Sequence, residues 1–352
     1  MADDVRDESA EGTERPVGRA DREHTFPPEP VARRRAPAGQ ALAVMLASLL
    51  VACLLNADRL DHTAHIQPFG WQRTVVLHLT GPLKSISDAT LLNRPRKWLS
   101  HSAGNTDPPP PIDTKTVVTA PPIDGSASGP TTTTRPLVVR TPTAADPVRI
   151  LVAGDSLMGW IKPALVQQFG DRPVAVTEDF KIGTGLARPD VTNWPVQIKD
   201  DAASTDPEVV VVGFGGNDAQ DMSTDDGRVH LGTKAWAAEY QKRVAQILNA
   251  VEKPGRTVYW IGLPITTRSN IQEAAPAMRK AEKTEIAARP WAHFIDTYKT
   301  LSPDGTYTQY LPDAGGTEVK VREGDGVHPN LAGANRVVGP LVEALIKERK
   351  LF

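Results

Sequence analysis

Residues 148–352 predict one α/β domain, a parallel sheet with helices on both faces, and three observations carry that prediction. Short apolar runs bounded by Gly or Pro alternate with longer stretches at helical spacing. The turns after several of these runs are rich in Gly, Asp and Asn, which suit tight turns and helix starts. An uncharged apolar segment and a Pro- and Thr-rich tract precede the domain and set it apart from the rest of the 352-residue chain.

In chain order, residues 1–35 mix Asp, Glu and Arg with Pro and almost no apolar side chains, and are expected to form a disordered cytoplasmic tail. Residues 36–57 carry no charge and are dominated by Ala, Leu and Val. At roughly 20 residues and about 1.5 Å per residue they are long enough to cross a bilayer core of about 30 Å. Arg33, Arg34 and Arg35 precede this segment and Asp58 closes it. By the positive-inside rule the tail stays in the cytoplasm and everything after Asp58 lies outside, as in a single-pass signal-anchor of the cell membrane. Three readings compete. A cleaved signal peptide usually has a shorter charged leader and a small-x-small site. Leu50-Val51-Ala52-Cys53 is similar to a lipoprotein box, but the apolar run continues past Cys53 as Leu54-Leu55. A buried core helix is disfavoured by the three arginines.

Residues 58–104 contain patterned pieces at 75–77 and 86–98, with helical potential broken by Pro82 and Pro95, and read as a juxtamembrane segment on the outer face. Residues 105–147 gather Pro, Thr, Ser and Gly around low-complexity cores at 108–111 and 131–134. At about 3 Å per extended residue such a spacer reaches on the order of 100 Å and would lift the following domain from the membrane. Within the domain, strands are expected at residues 150–153, 174–177, 208–212, 257–261 and 293–296. Helices are expected at 157–169, kinked or delayed by Pro163, and at 195–203, 234–251, 271–288 and 331–347.

Composition narrows the function. A net charge of -2 and the lack of a basic, aromatic-rich stripe give no footing for nucleic acid. Cys53 is the only cysteine, which excludes an intramolecular disulfide framework and a Cys-based metal cluster. His230 and Asp221 share a polar loop, but their spacing does not read as a metal site.

The carboxyl ends of parallel strands share one edge, so segments far apart in sequence converge there. Three segments have that placement: Gly154-Asp155-Ser156, Gly213-Phe214-Gly215-Gly216-Asn217-Asp218, and Asp325-Gly326-Val327-His328-Pro329-Asn330 before the last helix. Acyl transfer needs a nucleophile, a base, a group that orients the base, and donors for an oxyanion. Ser156, at a helix N-terminus, suits the first role, His328 the second and Asp325 the third. Asn217 and the Ser156 N–H suit the fourth. Each piece also has an ordinary explanation as a cap, a turn or a solvated loop histidine. Trp160 and Trp194 lie near this edge and offer a platform for a sugar ring, or else pack the helix and loop beneath.

These blocks resemble blocks I, III and V of the SGNH hydrolase superfamily, also called GDSL-like esterases, from about residue 148 to the C-terminus. The resemblance implies a three-layer α/β/α flavodoxin-like sandwich and a triad of Ser156, Asp325 and His328, with no cofactor. It also implies a block II glycine that adds a backbone donor to the oxyanion hole. In Lys181-Ile182-Gly183-Thr184-Gly185-Leu186 that glycine is Gly185, with Gly183 the alternative. Leu186-Ala187-Arg188-Pro189-Asp190 and Asn193-Trp194-Pro195 are similar to a membrane-anchored bacterial subfamily. Some of its members accompany membrane-bound O-acyltransferases and modify envelope polysaccharides. A Gly-x-Ser-x-Gly elbow is absent around Ser156, which disfavours the other common serine-esterase fold.

The expectation is therefore a serine-dependent acyl-ester hydrolase or O-acyltransferase on the outer side of the cell membrane. Its substrate would be an acylated carbohydrate of the cell envelope or a small ester, and its partner a membrane-bound O-acyltransferase. A catalytically silent glycan-binding module is the competing reading. A cytoplasmic lipase conflicts with the anchor.

Overall fold

The computed structural model describes residues 37–67, 71–94 and 140–352. The expected tail, residues 95–104 and residues 105–139 of the spacer lie outside the described residues. Two compact units divide after Leu50. Helix α1, Ala38–Leu55, crosses that division and carries no charged residue. Among the described residues it is the one helix long and apolar enough to cross a membrane, a property it shares with signal sequences. It ends two residues before the expected limit, because Asn56 turns the chain and its side-chain amide donates back to the Ala52 carbonyl at 2.7 Å.

Two helices follow, α2 (Ala57–Ile66) and α3 (Trp71–Thr90). Pro82 does not break α3 as expected. The clash that bars a pre-proline residue from helix involves its Cβ, and Gly81 has none. The seam between the two helices is polar. Thr80 Oγ1 donates to Asp61 Oδ1 at 3.3 Å, Lys84 pairs with Asp58 at 3.3 Å, and Asn93 donates to Asp58 Oδ2 at 3.0 Å. Trp71, Val75, Leu79 and Ile86 meanwhile face outward. This polarity is the reverse of a water-soluble helix pair, which hides its apolar stripe.

The α/β part is built on β1 (Val148–Gly154), β2 (Val174–Phe180), β3 (Val209–Gly213), β6 (Thr257–Ile261) and β7 (Ala292–Ile295). They pair in the order β2-β1-β3-β6-β7, all parallel. Strand order reverses between β1 and β3, which makes that point the natural crevice of the sheet. Successive side chains alternate faces. Leu151, Ala153, Val210, Val212, Val258 and Trp260 join one core with α5 (Trp194–Thr205), α6 (Lys234–Val251) and α7 (Ser269–Ala287). Ile150, Val152, Val209, Val211, Tyr259 and Ile261 join the other with α4 (Ile161–Phe169), α8 (Thr297–Leu301) and α9 (Leu331–Glu348). The result is the expected three-layer α/β/α sandwich.

Order on the domain starts before the first strand. Arg140 donates to the Asp146 carbonyl at 2.6 Å and pairs with Glu208 at 2.8 Å, which fastens the end of the spacer to the sheet. Two small hairpins, β4–β5 (Met222–Thr224, Gly227–Val229) and β8–β9 (Tyr310–Pro312, Glu318–Lys320), lie in the polar loops between β3 and α6 and between α8 and α9.

Phe214 sits at the end of β3, fully buried, with its ring 5.3 Å from Trp194 and 5.8 Å from Trp260. Phe214→Ala should lower stability by about 3–5 kcal/mol, read as a shift of the urea midpoint, because the surrounding rings leave a cavity.

Candidate active site

Strand β1 ends at Gly154 with φ +144, and a Cβ there would lie 2.1 Å from the Gly213 carbonyl oxygen. Only glycine lets the chain leave the sheet so close to β3. It then enters a 3-10 turn, Ser156–Met158, and α4 starts only at Ile161. The expected helix over 157–169 is thus delayed. Pro163 falls in the first turn of α4, where an N–H would have no intrahelical partner in any case.

Asp155 is the buried bolt of this corner. One carboxylate oxygen accepts from the Leu157 N–H at 2.9 Å, and the other accepts from Gly215 and Gly216 at 3.0 and 2.9 Å. The side chain therefore fastens the Ser156 turn to the Asn217 turn. Burial, and then the charge of Asp218, push its pKa up to about 7 against those three N–H donors. Asp218 is also fully buried, and burial raises it to about 6, opposed by the Ala187 and Leu186 N–H groups. Burial takes Glu282 to about 8.

The C-terminal loop brings the other two expected residues to Ser156. His328 Nε2 lies 2.7 Å from Ser156 Oγ, across 172 positions of sequence. The Nδ1 side of the same ring meets Asp325 Oδ2 in a short contact. Asp325 Oδ1 accepts from the backbone N–H groups of Val327 at 2.9 Å and His328 at 3.1 Å. Burial acts to raise the Asp325 pKa, but these hydrogen bonds and the ring overcome it and hold the carboxyl at about 2. It stays ionised and can orient imidazole through the whole neutral range. Gly326, with φ +75, presses against Thr267 after β6, and its carbonyl accepts from the Thr267 N–H at 2.9 Å. Fully buried Arg322 donates to the Ile265 carbonyl and ties the start of the same loop to that segment.

Three donors face no acceptor or have one N–H to spare. Among the described residues, no hydrogen bond engages the backbone N–H of Ser156 or of Gly185. Asn217 Nδ2 donates one N–H to the Thr184 carbonyl at 2.8 Å, which leaves its second for a ligand. Gly185 packs against Asp218, where a Cβ would stand 2.2 Å from Oδ1, whereas a Cβ at Gly183 would meet open space. The close approach favours Gly185 as the glycine coupled to the Asn217-Asp218 turn.

The two tryptophans part company. Trp194 is 1% exposed, packs edge-on to Phe214 and donates its indole N–H to Thr184 Oγ1 at 3.1 Å. It supports the block II loop from beneath and offers no face to a sugar, contrary to that expectation. Trp160 stays 41% exposed at the start of α4. Ile182 is 80% exposed on the block II loop, an apolar side chain in water with no signature of its own in the sequence. Asp155 and Asp218 read in the sequence as no more than capping or turn acids. The available signal was an acid directly beside a glycine turn after a wholly apolar strand. Among the described residues no group of three or more His, Cys, Asp or Glu could hold a metal ion.

A family model described as a protein of unknown function, DUF459, matches residues 149–344, more than half of the chain. The chain belongs to the DUF459 family. In this DUF459 domain residues 154–156 and 213–218 stand at the ends of β1 and β3, and residues 325–330 directly precede α9. No curated protein matches the sequence. Solved structures of similar fold include a G-D-S-L family protein from Desulfitobacterium hafniense, with 13% identity over 56% of this chain and 99% of that one and a TM-score of 0.40. Another is the periplasmic domain of a lipopolysaccharide acetyltransferase from Salmonella ser. Paratyphi A, with 14% identity over 59% and 85% and a TM-score of 0.38. A variant of an acetyl-xylooligosaccharide esterase from Geobacillus has 17% identity over 57% and 93% and a TM-score of 0.38.

The buried carboxyls of the DUF459 domain make its stability depend on pH with a definite sign. Asp155 has a folded pKa of about 7, above the unfolded value, so the folded state binds its proton more tightly. The contribution is fully present below about pH 4 and is lost as pH rises through 7. Asp155→Asn should flatten that fall in a series of urea midpoints from pH 4 to 8. It should also lower stability at pH 5, since one amide oxygen cannot serve donors on both sides.

Proposed function

We propose that this protein is a serine-dependent acyl-ester hydrolase or O-acyltransferase that works on an acylated carbohydrate of the cell envelope from the outer side of the membrane. The observation that carries the reading is the continuous line from Asp325 through both ring nitrogens of His328 to Ser156 Oγ. A solvated loop histidine has no reason to be held at both ends.

The chemistry follows from the placement. His328 Nε2 takes the Ser156 hydroxyl proton as Oγ attacks the ester carbonyl carbon. The carbonyl oxygen becomes an oxyanion met by the Ser156 and Gly185 N–H groups and the spare N–H of Asn217. Collapse breaks the bond to the leaving alcohol, which receives the proton from His328, and leaves an acyl-Ser156 ester. Water, or a sugar hydroxyl, then attacks that ester with His328 again as base, releasing the free acid or a new ester. Asp325 fixes the ring tautomer and stabilises the imidazolium in both halves.

Support for the location comes from α1 and the hairpin behind it. An uncharged helix preceded by three arginines suits a single-pass anchor with the domain outside. The outward apolar residues of α3 suit a bilayer surface better than water. A membrane-bound O-acyltransferase that supplies the acyl group would be the natural partner of a transferase so anchored. Trp160 and Ile182 would give a sugar ring or acyl group its apolar contact.

The test is acyl transfer by the full-length protein in detergent, from an activated acetyl ester with and without an oligosaccharide acceptor, read by mass spectrometry. Ser156→Ala should reduce turnover to background, and Asn217→Ala should lower kcat by about 10²–10³. Acetylated sugar that depends on Ser156 identifies a transferase, and acetate alone identifies an esterase. A folded wild type that turns over no ester while binding the oligosaccharide would sink the enzymatic reading in favour of a binding module.

A further inference from the structure

Resting on the reaction proposed above, we infer that Arg188 is a positioning residue that locks the α2–α3 hairpin onto the oxyanion loop. The segment next to the anchor is then part of the catalytic machinery and not only its mount.

Arg188 is 2% exposed, and each end of its guanidinium is engaged. Nε and Nη2 grip both oxygens of Asp190 at 2.8 and 2.7 Å. Nη1 donates to the Gln67 carbonyl at 2.7 Å and Nη2 to the His65 carbonyl at 2.6 Å. His65 lies in the last turn of α2 and Gln67 just past it, so these carbonyls belong to the helix terminus that carries partial negative charge. A buried cation there is doubly compensated, by the carboxylate fork and by the helix end. Arg73 of α3 also donates to the His65 carbonyl, at 3.3 Å, so both helices of the hairpin meet at this point.

The same short loop has a second anchor on its inner side. The Ala187 N–H donates to Asp218 Oδ1 at 2.7 Å, and Arg243 donates to the Leu186 carbonyl at 2.8 Å. Gly185 is therefore followed directly by both clamps, the core clamp at Leu186 and Ala187 and then the hairpin clamp at Arg188, three positions on. An oxyanion donor must be aimed before the reaction starts, because its value lies in not having to reorganise. Asp218 and Arg243 hold residues 186 and 187 from the core side. Arg188 holds the next residue from the hairpin side, through a part of the chain 121 positions earlier.

Full-length wild type, Arg188→Lys and a Thr80→Val/Ser87→Ala double variant would be compared. Lysine keeps the charge but cannot make the planar fork. The double variant removes polar contacts of the hairpin without touching the α/β domain. Steady-state hydrolysis of p-nitrophenyl acetate and amide hydrogen exchange of residues 60–67 and 183–190 give the readouts. The expected result for Arg188→Lys is at least a tenfold loss of kcat, a KM within about threefold, and faster exchange in both segments together. The double variant should show the same pattern in weaker form. Unchanged kcat in Arg188→Lys, or faster exchange in 60–67 with 183–190 unaltered, overturns the inference and leaves a purely structural clasp. A wild type that hydrolyses no ester fails the proposed reaction itself, which the Ser156→Ala comparison identifies separately.

Discussion

The candidate site depends on a carboxylate that is not in the triad. Asp155 is fully buried and accepts from three backbone N–H groups drawn from two strand ends. Without it those donors would be left unpaired, at roughly 1–3 kcal/mol each, and the side-chain tie between the Ser156 turn and the Asn217 turn would be lost. The cost is a carboxylate in a place that opposes ionisation, next to a second one in Asp218. Proteins keep such arrangements where geometry matters more than stability, and acyl transfer is a reaction in which a small error in donor placement is expensive. The glycine pair Gly154 and Gly213 belongs to the same solution, because their backbones approach too closely for any side chain.

The sheet was legible in the sequence because its signal is local. Residues 209–212 are four valines with polar turns on both sides, and a run of that kind reads as a buried strand without knowledge of its neighbours. Ser156, Asn217, Asp325 and His328 were legible for a related reason: each stands just beyond a strand or just before a helix. Trp194 stayed open in the sequence between a sugar platform and a packing role, because burial is a property of the assembled loop. The same indole beside the same edge packs inward only because Phe214 and Thr184 receive it. Pro82 was misread, since a proline rule assumes a Cβ on the residue before it and Gly81 has none. The hairpins in the two polar loops are three-residue strands, too short for a periodic pattern.

The hardest feature to see from sequence was the use of the juxtamembrane residues. A Pro- and Thr-rich tract after them suggests a domain held at a distance, but α2 and α3 fall in the same compact unit as the sheet. The link runs through Arg188 and main-chain carbonyls, which have no residue-type signature at all. No pattern in residues 57–67 announces that their carbonyls will meet a guanidinium. The polar seam between α2 and α3 is equally obscure, because Thr80 and Asn93 look like ordinary surface residues until α2 is set against them, as Ser87 does until it meets the Leu54 carbonyl of α1.

In the reaction proposed above, hydrolysis and transfer would part only after the acyl-enzyme forms, by what occupies the space over His328 Nε2. The triad lies at an open edge, with the side chains of His328 and Asp325 29% and 39% exposed, so water has free access to that space. Hydrolysis then needs nothing more than the residues already in place. Transfer needs an acceptor held long enough to exclude water, and the triad itself supplies no surface for that. Trp160, just before α4, and Ile182, on the block II loop, are exposed, and in the proposed transfer reaction they are the candidates for an apolar contact with an acceptor sugar. In the proposed reaction the choice between the two outcomes would therefore lie in acceptor binding rather than in Ser156, His328 and Asp325, since both outcomes would use the same three groups.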